Sequence, residues 1–206
     1  MVENAKRISA VIITGGRSPL FGPNDTAAEA ARERLIERLA WTLAEFPFAK
    51  FALVAPRGNP GVEPDGVSLL ADDEAGLGPI GGIATALRRL PGGIFVAASN
   101  MPFITSEMVS WLLSNDDPQA AAVIPRHFRG AEPFFAIYNK TAVPWLKEMV
   151  QSKGDATGAL EKAGVRFIDV PGQFYATRAF TRIHTAKEYE LALDVVDKKF
   201  HAEQPR

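Results

Sequence analysis

Short apolar runs alternate along this chain with longer stretches of helical periodicity. Ile8–Thr14 is a nearly unbroken apolar run, as a strand buried on both faces would be. Thr26–Phe46 follows helical spacing, opens on a Thr26-x-x-Glu29 capping box and stops before Pro47. Phe51–Ala55 is a second strand, closed by Pro56 and the Gly58-Asn59-Pro60-Gly61 turn, and Val67–Ala71 a third. Asp72–Pro79 reads as a loop and Ile80–Leu90 as a helix stopped by Pro91-Gly92-Gly93. Ile94–Ala98 is a strongly apolar fourth strand, and Ser106–Leu113 a helix with Thr105 as its N-cap. Ala120–Ile124 and Pro133–Tyr138 are strands flanking an Arg129-Gly130 turn. Helices at Val143–Gln151 and Ala156–Lys162 precede a strand at Arg166–Val170. The last helix begins at Thr185, where Thr185-x-x-Glu188 forms a second capping box, and the polar tail Lys198–Arg206 is expected to fray.

Strands separated by helices require crossover connections and therefore a mostly parallel sheet. The Ala120–Tyr138 pair, joined by a short turn, is an antiparallel excursion from it. No linker or repeat interrupts the pattern, so 1–206 is one α/β domain with a core of about 8–196. In such sheets a ligand binds beyond the carboxyl ends of the strands, where the strand order reverses. Three loops at strand ends carry suggestive chemistry: Thr14-Gly15-Gly16, the acidic and glycine-rich Asp72–Gly82, and Ser99-Asn100-Met101-Pro102. Glycines allow close approach to a phosphate, and loop N–H groups can point at it. The first loop and the one holding Asn100 are expected to line a shared groove.

Composition narrows the chemistry. The net charge of −1 and the mixed charge pattern leave no basic stripe for nucleic acid. Cysteine is absent, which excludes disulfides, thiolate nucleophiles and cysteine metal sites, and the three histidines lack ligand spacing. Met1–Arg7 has no apolar signal-peptide core and no run is long enough to span a bilayer, so a cytoplasmic protein is expected. No G-x-G-x-x-G follows a strand, and no G-x-x-x-x-G-K-[ST] is present. His127 lies in the basic turn Pro125–Gly130, which is either a solvated hairpin tip or a surface facing an anionic second substrate.

Taken together the loops resemble the molybdenum-cofactor guanylyltransferases, the MobA-like branch of the nucleotide-diphospho-sugar transferase fold. Ile13 through Thr26 lies on a first-loop pattern of the type L-A-G-G-x-x-x-R-M-G-x-x-K. Asp72–Gly82 matches D-x(5)-G-P-L-A-G, and Ala98–Phe103 matches P-C-D-x-P-F. Glu132–Tyr138 resembles H-P-x-F-x-L-Y, and Arg182–Glu188 the closing N-x-N-T-P-E-D. The matches keep family order from Ile8 to about Val196. The resemblance implies a three-layer α/β/α fold and transfer of GMP from GTP to a molybdopterin-type acceptor, with Mg2+. It assigns catalytic roles to Asn100, Thr26 and Arg17, with Asn100 at the metal position, and nucleotide contacts to Ile13, Thr14, Gly15, Gly16, Asp72, Gly78 and Pro79.

The departures from the pattern fall on the charged positions. Leu20 stands for the loop arginine, Thr26 for the phosphate-reaching lysine, and Asn100 for the metal-binding aspartate. Pro56 stands for an asparagine after the second strand, and Arg182 and His184 for the closing pair. Arg17, Arg57 and Arg182 could replace the lost cations; Arg32 and Arg34 lie too far along the first helix. Three readings follow: an active nucleotidyltransferase, a degenerate relative that binds a nucleotide or partner, and a transferase with another nucleotide or acceptor.

Overall fold

The computed structural model describes residues 3–14, 26–57, 64–73, 78–151, 164–176, 178 and 180–203. A 3-10 turn, Glu3–Arg7, leads into β1 (Ile8–Ile13), which is followed by α1 (Thr26–Ala44), β2 (Phe51–Ala55) and β3 (Ser68–Ala71). The chain then forms α2 (Gly78–Arg89), β4 (Gly93–Ala98), α3 (Ser106–Ser114), β5 (Ala122–His127), β6 (Gly130–Ala131) and β7 (Phe135–Tyr138). It closes with α4 (Val143–Gln151), β8 (Val165–Asp169), a short helical turn α5 (Gln173–Ala176) and α6 (Ala186–Glu203).

One eight-stranded sheet runs in the order β3-β2-β1-β4-β7-β5-β6, with β8 paired to β5. β3, β2, β1 and β4 are parallel, with Ile8 opposite Gly93 and Ile13 opposite Ala98. β7 is antiparallel to both β4 and β5, and β8 is parallel to β5. The expected excursion is therefore a strand inserted into the middle of the sheet rather than a hairpin at its edge.

The strands read as unbroken apolar runs because helices cover both faces. Ala10, Ile12, Leu53, Phe95, Phe135 and Ile137 face α1 and α3 through Ile36, Leu39, Leu43, Met108 and Leu112. Their neighbours Val11, Ile13, Val54, Val96 and Tyr138 face α2 and α4 through Ile83, Leu87, Trp145 and Leu146. The period-2 alternation of a strand sends adjacent residues to opposite layers. A smaller cluster seats α6 on α1 through Leu35, Tyr189 and Ala192.

Most element ends fall within two residues of the sequence reading, and the shifts have local causes. α2 starts at Gly78 rather than Ile80, because Pro79 is tolerated in a first helical turn where its missing N–H would have no partner. Its last carbonyls are capped by Lys140, whose Nζ donates to Leu87 O and, at 2.6 Å, to Leu90 O. β5 runs on through His127, and Gly130 pairs back to it, so the turn is Phe128–Arg129 rather than Arg129-Gly130. α6 runs to Glu203. The helix expected at Ala156–Lys162 lies outside the described residues. Among the described residues no helix is long and apolar enough to cross a membrane.

Two local devices support predictions. Gly92 adopts φ +68°, and a Cβ there would overlap the Arg7 carbonyl oxygen. Gly92→Ala is expected to destabilise the protein by about 2–3 kcal/mol, since left-handed strain and a backbone clash add; urea unfolding measures it. At α6 the capping box forms as read: the Glu188 carboxylate accepts from His184 N at 2.8 Å and Thr185 N at 2.9 Å, and Thr185 Oγ1 accepts from Glu188 N at 3.3 Å. The His184 N–H, then the Thr185 N–H, hold the Glu188 carboxyl below its ordinary value. The folded value is therefore the lower one. The stabilisation is complete above the ordinary carboxylate range and disappears as pH falls through the folded value. Urea unfolding of Glu188→Gln should show less acid sensitivity than the parent below that range.

Candidate functional site

The four parallel strands end on one edge of the sheet, and α1, α2 and α3 follow strands that end there. The positive dipole ends of these helices are therefore directed toward that edge. From β1 the chain moves outward to β2 and β3, then returns past β1 to β4. The order reverses between β1 and β4, which makes the space beyond their ends the expected crevice.

Backbone hydrogen bonds hold the two key turns side by side. Ser99 N donates to Ile13 O at 3.0 Å, and Thr14 N donates to Val54 O at 2.9 Å. Asn100 thus leaves the end of β4 beside Ile13 and Thr14, where the chain enters the first loop; the loop itself lies outside the described residues. The Asn100 carbonyl accepts from Ile183 N at 2.9 Å, which brings the closing motif to the same place. The side chains of Ile13 and Thr14 are both engaged inside the protein. The Ile13 side chain is core: a Cβ on Gly82 would lie 3.4 Å from Ile13 Cδ1 and 3.2 Å from Val54 Cγ1. Gly82 lets α2 approach the sheet this closely. Thr14 is 4% exposed and its hydroxyl donates to Val54 O at 3.1 Å. Both residues therefore position the loop through structure. Gly15, Gly16, Arg17 and Leu20 lie outside the described residues; Thr26 is the first residue of α1.

The acidic loop sits elsewhere on the edge. An Asp72 carboxylate oxygen accepts from Thr85 Oγ1 at 2.9 Å, and that hydroxyl accepts from Asp73 N at 3.1 Å. Asp73 pairs with Arg89 at 2.7 Å and with Arg57 at 3.4 Å. Arg57 thus has a carboxylate partner. Gly78 and Pro79 open α2 and are exposed. Asp72 ends β3, three strand positions from β4, or about 14 Å at the usual strand spacing. Asp72 and Asp73 therefore lie away from Asn100 along the sheet edge. Among the described residues no three His, Asp or Glu side chains gather as a metal site.

The cation offered by Arg182 is also engaged. Arg182 Nη2 contacts Glu132 Oε1, and its guanidinium lies 5.1 Å from the Phe134 ring centroid. The Glu132 side chain is 5% exposed. Burial first, and then the Glu132 carboxylate, push the Tyr138 phenol far up, so it stays a donor to Pro133 O at 2.8 Å. Glu132 was not among the residues the motifs single out. Its signal was a paired departure: an acid stands where the family pattern has histidine, and Arg182 stands where it has asparagine. Opposite charges replacing neutral groups at two motif positions are what a contact between them requires. His127 is not at a solvated tip. Its side chain is 7% exposed, and its ring stacks on Phe180 with centroids 5.1 Å apart. The exposed tip consists of Phe128 and Arg129.

Comparison with known proteins agrees with this arrangement. Residues 10–166 match the MobA-like NTP transferase domain. A probable molybdenum cofactor guanylyltransferase of Pelotomaculum thermopropionicum is 35% identical over 70% of this chain and 69% of its own. Another, from Thermococcus kodakarensis, is 27% identical over 77% of this chain and 80% of its own. Among solved structures, molybdopterin-guanine dinucleotide biosynthesis protein A of Archaeoglobus fulgidus superposes with a TM-score of 0.70 at 24% identity, covering 93% of this chain and all of the other. A domain match over most of the chain and a relative 35% identical over more than two thirds of both chains lead to one assignment: this chain belongs to the MobA-like NTP transferase family.

Proposed function

We propose that this protein is a nucleotidyltransferase that moves GMP from GTP onto a molybdopterin-type acceptor. An acceptor phosphate oxygen attacks the α-phosphorus, the bond to the bridging oxygen of the β-phosphate breaks, and pyrophosphate leaves. Such a transfer needs little covalent help. It needs the two substrates in line and the charge on the phosphate oxygens neutralised. The observation that supports the reading is the Ser99 N to Ile13 O bond, which puts the turn with Asn100 beside the end of β1, from which the first loop departs. The N–H groups of the first loop and the nearby helix N-termini supply the neutralising dipoles. Arg17, within that loop, is the cation left for the phosphates now that Arg57 and Arg182 have carboxylate partners.

The described residues do not fit a resident magnesium ion. Asn100 offers one neutral oxygen where the ion ordinarily takes one or two carboxylates, and Asp72 is hydrogen-bonded to Thr85 across the sheet edge. This observation favours a second reading, in which the protein binds the nucleotide without turning it over. One experiment separates the two. Incubation with GTP, magnesium and molybdopterin is expected to release pyrophosphate and yield the guanylated pterin. Saturable GTP binding without pyrophosphate would establish the second reading, and absence of both would sink the two together.

A further inference from the structure

A cavity of about 140 Å³ opens between the β5–β6 hairpin and segment 174–181. β5 is antiparallel to β7 and β7 to β4, so β5 ends on the same edge as β4. The cavity wall therefore lies on the edge that holds Asn100. The chain that forms the wall at Arg178 and Phe180 continues to Ile183, whose N–H holds the Asn100 carbonyl. Three benzyl rings, those of Phe128, Phe174 and Phe180, share the lining with the guanidiniums of Arg129 and Arg178 and the imidazole of His127.

Neither Arg129 nor Arg178 forms an ion pair with a described residue. The Arg129 guanidinium lies 5.2 Å from the Phe128 ring centroid. His127 Nδ1 accepts from Arg129 N at 3.1 Å, which places the imidazole proton on Nε2. That Nε2 is buried and has no hydrogen-bond partner; Glu132 Oε2, at 3.8 Å, is beyond hydrogen-bond range. Arg178 is also the one non-glycine among the described residues with positive φ, at 55°, a backbone state more often retained for function than for stability.

We propose that this cavity is an anion subsite that takes a phosphate monoester carried on a flat ring. The guanidiniums pair with the phosphate oxygens, and the phenylalanine rings pack on the ring system. Naming the occupant as the phosphate-bearing end of the acceptor rests on the transferase reading; the anion site itself does not.

The test is a titration of the full chain with phenyl phosphate in the absence of GTP, followed by NMR at the His127 imidazole and the arginine Nε–H groups. Saturable shifts are expected, with tighter binding than inorganic phosphate or phenol. Arg129→Ala and Arg178→Gly should each weaken binding by about tenfold, the loss expected for one charge-assisted contact. Both side chains are exposed, and glycine accepts the positive φ, so unfolding midpoints should hold. Absence of a saturable shift, or equal affinity in the parent and the double variant, overturns the site. Phenyl phosphate binding without any GMP transfer supports the anion site and removes the transferase reading. Where transfer occurs, Arg178→Gly should raise KM for the pterin acceptor and leave KM for GTP unchanged; an unchanged acceptor KM overturns the assignment while leaving the transferase reading intact.

Discussion

Asn100→Asp combined with Thr26→Lys is expected to raise kcat/KM for GTP by at least about a hundredfold. Asparagine and aspartate are nearly isosteric, and the turn carrying residue 100 is held by the Ile183 N–H on its carbonyl and by the Ser99 N–H on Ile13. The aspartate should therefore appear where the amide is now, adding one anionic oxygen to the groove. Thr26 is the first residue of α1, at the groove edge. A lysine there opposes the helix dipole, which costs about 0.3–1 kcal/mol. A charge-assisted hydrogen bond contributes about 1.5–3 kcal/mol. The lysine supplies one such bond to a phosphate and the aspartate supplies an anionic oxygen to the magnesium ion that GTP carries; two gains of that size total about 3–6 kcal/mol, a factor of about 10²–10⁴ in rate. Steady-state pyrophosphate release measures it. No gain in the double variant would mean that the groove already compensates for both replacements.

Arg182→Ala is expected to destabilise the protein by about 3 kcal/mol, with little change in KM for GTP. Removing one partner of a buried pair strands the other charge, and Glu132 has only 5% of its side chain in contact with solvent. Arg182 itself is 34% exposed, so solvent supports part of its charge and the loss falls at the lower end of the range for buried pairs. Glu132→Gln together with Arg182→Met should recover most of the stability, because neither side then leaves a buried charge. Urea unfolding of the singles and the double gives the coupling energy. A large rise in KM for GTP with stability unchanged would instead put Arg182 on the phosphates, the role its motif position suggests.

Local chemistry explains what was legible early. Phe51–Ala55 and Val143–Gln151 emerge with the boundaries their patterns imply, and Thr105 and Thr185 cap α3 and α6 as read. Each depends on neighbours within a turn or on a periodicity that survives in one dimension. The juxtaposition of the first loop with Asn100 was accessible because both follow parallel strands, and a parallel sheet carries all such ends to one edge.

The site's charges were not readable in the same way. From order along the chain, Asp72, Arg57 and Arg182 are all candidates for the groove. In three dimensions Asp72 is hydrogen-bonded to Thr85, Arg57 pairs with Asp73 and Arg182 with Glu132. A long side chain near a site can satisfy its charge through several partners, and only packing decides which partner is within reach. The insertion of β7 between β4 and β5 has the same character. Alternating apolar runs require a two-sided sheet, yet they leave the order of strands open because every strand presents similar apolar faces. The pattern by itself therefore determined the layers, the caps and the edge at which the parallel strands end. Tertiary structure alone decided strand order and charge pairing, since both depend on distances between residues far apart in sequence.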